Sequence, residues 1–328
     1  MRPGVVAVAG EALVDIVPAP VGGYYELAPG GSPANVAVGL ARLGVPTRML
    51  ARLAADPLGE RLRAHLAANG VDLAHAVAAR EPTSLALVSV DAEGVASYDF
   101  RVDGTADWQW SAAELEGVLA PGSTGPVVAV HSGSLALTTP PGAAVLRALL
   151  VRAAAEATIS YDPNCRPLLM GDPARVRAAA AELLATADVV KISAEDLTWL
   201  LPGRAPADVL DDWLGRGPAL VAVTLGPDGV LAGTASGLRT RRPGRRVAVV
   251  DTVGAGDSFS AALLAGLHRR GLLGAAHRAA LRAIDAASLN DVLDDAVAAA
   301  AITCSRRGAD PPTAGELAGR WQAAPTGS

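Results

Sequence analysis

Asp251-Thr252-Val253-Gly254-Ala255-Gly256-Asp257-Ser258-Phe259 is the stretch whose reading decides the class of this chain. It follows an apolar run, Arg246-Val247-Ala248-Val249-Val250, that reads as a strand. It opens "DSFSAALLAGLHRRG" (257–271), which reads as a helix. Three small residues at such a junction let the backbone approach a ligand closely. Their N–H groups lie at a helix N-terminus, where the dipole favours an anion. Asp257 falls in the first turn, where a carboxylate stays ionised and can accept a proton from a hydroxyl attacking a bound phosphoryl group. Taken alone, the pattern equally fits a Gly-rich connection with Asp257 as a capping residue.

The rest of the chain repeats the strand–turn–helix theme. "VVAVAG" (5–10), "VDIV" (14–17), "TRML" (47–50), "VVAVHSG" (127–133), "TISYDPN" (158–164), "DVVKIS" (188–193) and "ALVAVTLG" (219–226) read as strands. Helical stretches are expected at 58–70, 141–157, 173–187, 195–201 and 205–216. "SPANVAVGLARLG" (32–44) reads as a helix with Ser32 as N-cap, Pro33 at N1, Asn35 at N3 and Gly44 as the stop. This alternation predicts a mostly parallel sheet with helices on both faces. Segment 83–107 departs from it, with two or three strands and a "DAEG" hairpin turn. With 14–27 it is expected to form a small sheet outside the main layer, the alternative being an edge extension of the main sheet.

Composition narrows the chemistry. The chain has 328 residues, enough for one large α/β domain. Among 28 Lys and Arg, only Lys191 is lysine, and Val190 and Ile192 flank it. A P-loop is thereby excluded, because its Gly-Lys-Ser/Thr end supplies the phosphate-binding lysine. The protein-kinase motif set is absent as well. Phosphate chemistry here must rest on backbone N–H groups and arginines. A net charge of −5 and 3% aromatics give no footprint for nucleic acid. Cys165 and Cys304 match no metal spacing and read as free thiols. Residues 117–146 lack charge, but Pro121, Pro126, Pro140, Pro141 and His131 argue against a membrane span. Glu11 and Asp15 interrupt the N-terminal apolar stretch, so a cytosolic protein is expected.

Several other strand ends carry candidate ligand groups. Asp15 follows the first strand, where α/β folds place such residues. Gly30-Gly31-Ser32-Pro33-Ala34-Asn35 offers a Gly-rich turn and an amide for a polyol. "DPNCRP" (162–167) offers Asn164 and Arg166, and "TLGPDG" (224–229) is a strand end with a Gly turn.

Together these residues resemble the ribokinase-like (PfkB-type) carbohydrate kinases, from Gly10 to Pro312. "GGSPANVAVGLARLG" and "DTVGAGDSF" are similar to the family's two signatures. "GEALVDIVP", "FRVDGTAD", "DPNCRP" and "AAAAITCSRRGADPP" resemble its fructokinase-like branch. The resemblance implies a three-layer α/β/α domain over residues 1–320, a small β-sheet lid from about 12–29 and 83–107, and a tail at 321–328. It implies ATP-dependent phosphorylation of a primary hydroxyl of a small sugar, fructose first. A 2-keto-3-deoxygluconate kinase or ribokinase of the same family is the alternative, and a non-catalytic sugar sensor a distant one. A dinucleotide-binding oxidoreductase is disfavoured, because no G-x-G-x-x-G follows the first strand.

Site roles follow from the same resemblance. Asp257 is the expected catalytic base, and Gly254, Ala255 and Gly256 form the anion hole. Asp15, Gly31, Asn35, Arg101, Asn164 and Arg166 match sugar-contacting positions. Lys191, Ser193, Thr224, Gly226 and Gly229 border the ATP site, with the base pocket near 290–308. Asp251 and the Val253 carbonyl match a monovalent-cation position, usually K⁺. Asp196 takes the place of the family's Glu linked to Mg²⁺ through water, with Ser193 at its Asn position. A homodimer paired through the lid strands is expected.

Overall fold

Twelve of fourteen strands form two main sheets, and the other two, β5 and β6, pair with each other, in a computed structural model that describes residues 4–19, 23–90, 96–120 and 125–319. The strands are β1 (Val5–Ala9), β2 (Leu13–Pro18), β3 (Tyr25–Gly30), β4 (Thr47–Leu50), β5 (Arg52–Ala54), β6 (Val77–Ala79) and β7 (Leu85–Val90). They continue with β8 (Ala96–Arg101), β9 (Val127–Gly133), β10 (Thr158–Asp162), β11 (Val189–Ser193), β12 (Leu220–Thr224), β13 (Val230–Thr234) and β14 (Arg239–Arg242). The large sheet has the order β14-β13-β12-β11-β10-β9-β1-β4. Six of its strands pair in parallel, and at one edge β13 pairs antiparallel with β12 and β14 antiparallel with β13.

Strand alternation divides the core between the two faces. Val6, Val8, Ala129, Val189, Leu220 and Ala222 pack with the helices Ser32–Arg42, Ala255–Arg269 and Ala286–Cys304. Their strand neighbours Ala7, Ala9, Val130, Val190, Ile192 and Val221 pack with Gly142–Ala153, Pro173–Thr186 and Pro206–Leu214 on the other side. This is the three-layer arrangement that the alternation of strands and helices predicts. No helix among the described residues is long and apolar enough to cross a membrane.

The second sheet has the order β3-β2-β7-β8 and is separate from the first. Segment 83–107 therefore does not extend the main sheet edge. The expected "DAEG" turn and the tail at 321–328 lie outside the described residues.

Three local readings are corrected. The run 246–250 is not a strand, because the chain leaves the sheet at Pro243, which has no N–H to give the ladder. Val249 and Val250 are exposed, and the Val250 N–H donates to the Cys304 carbonyl. The helix after the Gly-rich turn begins at Ala255, two residues earlier than expected. The helix Ser32–Arg42 is capped at Gly31, so Ser32 is its first residue and Asn35 its fourth. The antiparallel pair β13–β14 and the long helix Ala286–Cys304 are additions that the sequence reading did not contain.

Candidate active site

Two helix N-termini meet at the carboxyl ends of the parallel strands, the edge where open α/β sheets hold ligands. The meeting depends on close packing between the helices Ser32–Arg42 and Ala255–Arg269. A Cβ on Gly39 would lie 2.6 Å from the Ala261 Cβ, so only glycine admits this approach. Gly39 is two turns from Ser32, and Ala261 is one turn from Asp257, so both first turns share the contact face.

Asp257 is the product of that contact. Ser32 Oγ donates to its Oδ1 at 2.6 Å, and Asn35 Nδ2 donates to its Oδ2 at 2.9 Å. Ser32 therefore does not cap its own helix; its hydroxyl is committed to a carboxylate 225 residues away. Asn35 is likewise engaged with Asp257 through its amide. Asp257 is the third residue of its helix and is buried. Gly254 caps this helix at φ 75°, a left-handed conformation that leaves the next N–H groups at the helix start. Its Cα packs against Ala309, where a Cβ would meet Ala309 Cβ at 2.6 Å.

Asp15 faces the same space from β2. Burial pushes its pKa up to about 6; Arg166 lowers it and Asp257 raises it, so all three groups share one field. Gly30 accommodates the Asp15 carboxylate, since a Cβ there would lie 2.2 Å from Oδ2. Gly31 is packed on the Glu11 carbonyl, with φ 100°. Arg166 Nη1 donates to Asn164 Oδ1 at 2.9 Å and to the Cys165 carbonyl at 2.9 Å. Asn164 Nδ2 is buried and has no acceptor, so the site holds an orphaned donor suited to a hydroxyl oxygen. Arg101 is not brought to this cluster: its side chain is 70% exposed and pairs with Asp99 at 2.7 Å. As the last residue of β8, it lies on the outer strand of the small sheet.

Two buried acids missed by the sequence reading lie at the base of the small sheet. Asp107 accepts from the Ala12 N–H at 2.9 Å and from Ser84 Oγ, which contacts Thr105 Oγ1. It thereby gathers the entry to β2, the entry to β7 and the exit from β8. Glu11 accepts from the Ala136 N–H at 3.3 Å. Burial pushes Glu11 up to about 7 and Asp107 up to about 6. The available signal was an acid inside an apolar strand end, "AGEALV" and "GTADW".

The nucleotide-facing candidates occupy the ends of β11 and β12. Ser193 and Thr224 are register partners on these strands. Ser193 Oγ accepts from the Asp196 N–H at 2.9 Å and donates to Asp196 Oδ2 at 2.8 Å. The Cys165 N–H donates to Asp196 Oδ1 at 2.9 Å, so this carboxylate is fixed at both oxygens. Gly226 and Gly229 form the turn after β12, where the Leu225 N–H donates to the Gly229 carbonyl. Lys191 is buried and donates to Asp162 Oδ2 at 3.0 Å. Burial opposes its charge, but Asp162, Asp196 and Asp257 outweigh it and hold its pKa above the ordinary value. Asp162 is the third acid that sequence reasoning passed over.

Asp251 ties its own loop to the chain after the helix Ala286–Cys304: its Oδ1 accepts from the Val253 N–H at 3.0 Å and its Oδ2 from the Gly308 N–H at 2.8 Å. Among the described residues no group of three or more His, Cys, Asp or Glu is placed to hold a metal.

Comparison with known proteins gives a consistent picture. The sequence model for "pfkB family carbohydrate kinase" matches residues 5–314. A fructokinase of Rhizobium leguminosarum bv. trifolii is 38% identical over 268 residues, covering 80% of each chain. The crystal structure of a fructokinase from Xylella fastidiosa with bound ATP superposes with a TM-score of 0.86, at 29% identity, over 97% of this chain and 98% of that one. A fructokinase double mutant from Vibrio cholerae O395, in a fructose, ADP and potassium ion bound form, gives 0.82 at 27% identity, over 97% and 98%.

Proposed function

Because this chain belongs to the pfkB family of carbohydrate kinases and is an ATP-dependent sugar kinase, we propose that it phosphorylates a primary hydroxyl of fructose, with Asp257 as the base. The carrying observation is Asp257 at a Gly-rich helix start, held at both oxygens by Ser32 and Asn35. A carboxylate has about four acceptor positions, so two remain for an incoming hydroxyl.

The reaction follows from that placement. The sugar oxygen attacks the γ-phosphorus as its proton passes to an Asp257 oxygen. The new O–P bond forms while the bond from γ-phosphorus to the bridging oxygen breaks, and its electron pair leaves on ADP. The N–H groups of Gly254, Ala255 and Gly256 stabilise the equatorial charge in this reading. Asp15, Gly31, Asn35, Asn164 and Arg166 position the sugar, and the unpaired Asn164 Nδ2 supports this. Ser193, Thr224, Gly226 and Gly229 border the nucleotide.

The residues present fit two ions. Asp196 is a preoriented carboxylate of the kind Mg²⁺ uses together with water and phosphate oxygens. Asp251 and the Val253 carbonyl fit K⁺. When bound, these ions neutralise phosphate charge and support the loop that carries the anion hole. A homodimer through the small sheet completes the proposal, and a monomer in light scattering at micromolar concentration would contradict it.

ADP release with a sugar panel, at varied K⁺, tests the substrate. Fructose should give the highest kcat/KM. Preference for 2-keto-3-deoxygluconate would overturn fructose, since Arg166 offers a guanidinium to a carboxylate.

A further inference from the structure

Lys191 carries the one ammonium side chain in the sequence, and it is placed under the Gly-rich turn. Its side chain is 6% exposed and its partner Asp162 is 2% exposed. Ser260, from the helix that carries Asp257, reaches the same Asp162 oxygen at 3.5 Å. A Cβ on Gly256 would lie 2.8 Å from Lys191 Nζ. The ammonium therefore abuts the backbone of Gly256 with no side chain between them.

Stability alone is a poor reason for this arrangement. A buried ion pair often contributes no more than apolar residues of the same volume. Positive charge near a helix N-terminus is also unfavourable, because that end of the dipole is itself positive. The arrangement becomes favourable when an anion arrives at the same helix start.

We propose that Lys191 is a positioning residue for phosphoryl transfer, its ammonium locked by Asp162 against Gly256 to add fixed positive charge beneath the backbone anion hole. The proposal rests on the reading of residues 254–256 as that hole. Lys191 acts through the field at the Gly256 amide, and it takes no proton in the reaction. A side chain at 256 would push the ammonium away from this position.

Lys191→Met and the double variant Asp162→Asn/Lys191→Met separate this role from a structural one. The single variant leaves the Asp162 carboxylate buried without its counter-charge, so it should be less stable. The double variant removes both charges and should regain thermal stability. In both, kcat should fall about 10–10²-fold, a loss below or at the range for a directly contacting donor. Affinity for ADP with beryllium fluoride should fall at least about tenfold, while affinity for ADP alone and the KM for fructose change little. Recovery of kcat together with stability in the double variant would overturn the proposal. So would unchanged affinity for ADP with beryllium fluoride. If the unaltered enzyme binds ADP with beryllium fluoride no tighter than ADP alone, the anion-hole reading itself fails, which is a distinguishable result.

Discussion

At Asp257, two donors from another helix converge on one carboxylate, the arrangement that the proposed proton acceptor needs. Ser32 and Asn35 keep both oxygens oriented without neutralising them. Asp257→Asn retains the shape but loses the proposed base, and kcat should fall by about 10²–10⁴. One of the two donors would then face an amide nitrogen, so a cost of about 1–3 kcal/mol in stability is expected as well. ADP release and thermal unfolding read the two effects separately, and near-full turnover would exclude Asp257 as the base.

The junction between the two sheets is held by buried acids. Asp107 bonds to Ala12 and Ser84, while Glu11 bonds to the chain after β9. Glu11 has a folded-state pKa of about 7, above its ordinary 4.5, chiefly through burial. The folded protein thus binds this proton more tightly than the unfolded chain does. Stability from the neutral form is present at low pH and is lost as pH rises from about 4.5 to 7. Glu11→Gln is neutral throughout. The stability of the unaltered protein relative to Glu11→Gln should therefore drop by roughly 1–3 kcal/mol between pH 5 and 7.5. Denaturant unfolding at the two pH values measures it, and a difference independent of pH would show that Glu11 is ionised throughout.

On the scale of the molecule, the small sheet stands apart from the large one, and Arg101 at its outer strand is exposed. The sugar role expected for Arg101 requires the sheet to close over the strand ends, as substrate-induced lids do. Arg101→Ala should leave thermal stability unchanged, because an exposed ion pair contributes little. It should raise the KM for fructose about tenfold or more, the worth of a charge-assisted hydrogen bond. Steady-state kinetics over a range of fructose concentrations tests this, and an unchanged KM would place Arg101 outside the site.

The amino-acid sequence by itself determined the layered α/β class, because hydrophobic period and glycine punctuation are local properties. It also marked the helix start at 254–257 and the Gly30–Asn35 turn, since small residues before a helix are legible without knowing the fold. What only the tertiary structure decided are relations between distant segments. Ser32 reads as a cap in sequence, yet its hydroxyl belongs to Asp257, since Gly39 admits Ala261 and brings the two helices together. The run 246–250 is apolar enough for a strand, yet Pro243 and the Cys304 carbonyl draw it out of the sheet. Glu11, Asp107 and Asp162 gain their importance from burial and from partners remote in sequence. The lone lysine excluded a P-loop by its neighbours in sequence, while its place beneath Gly256 is a product of packing between a strand and a helix.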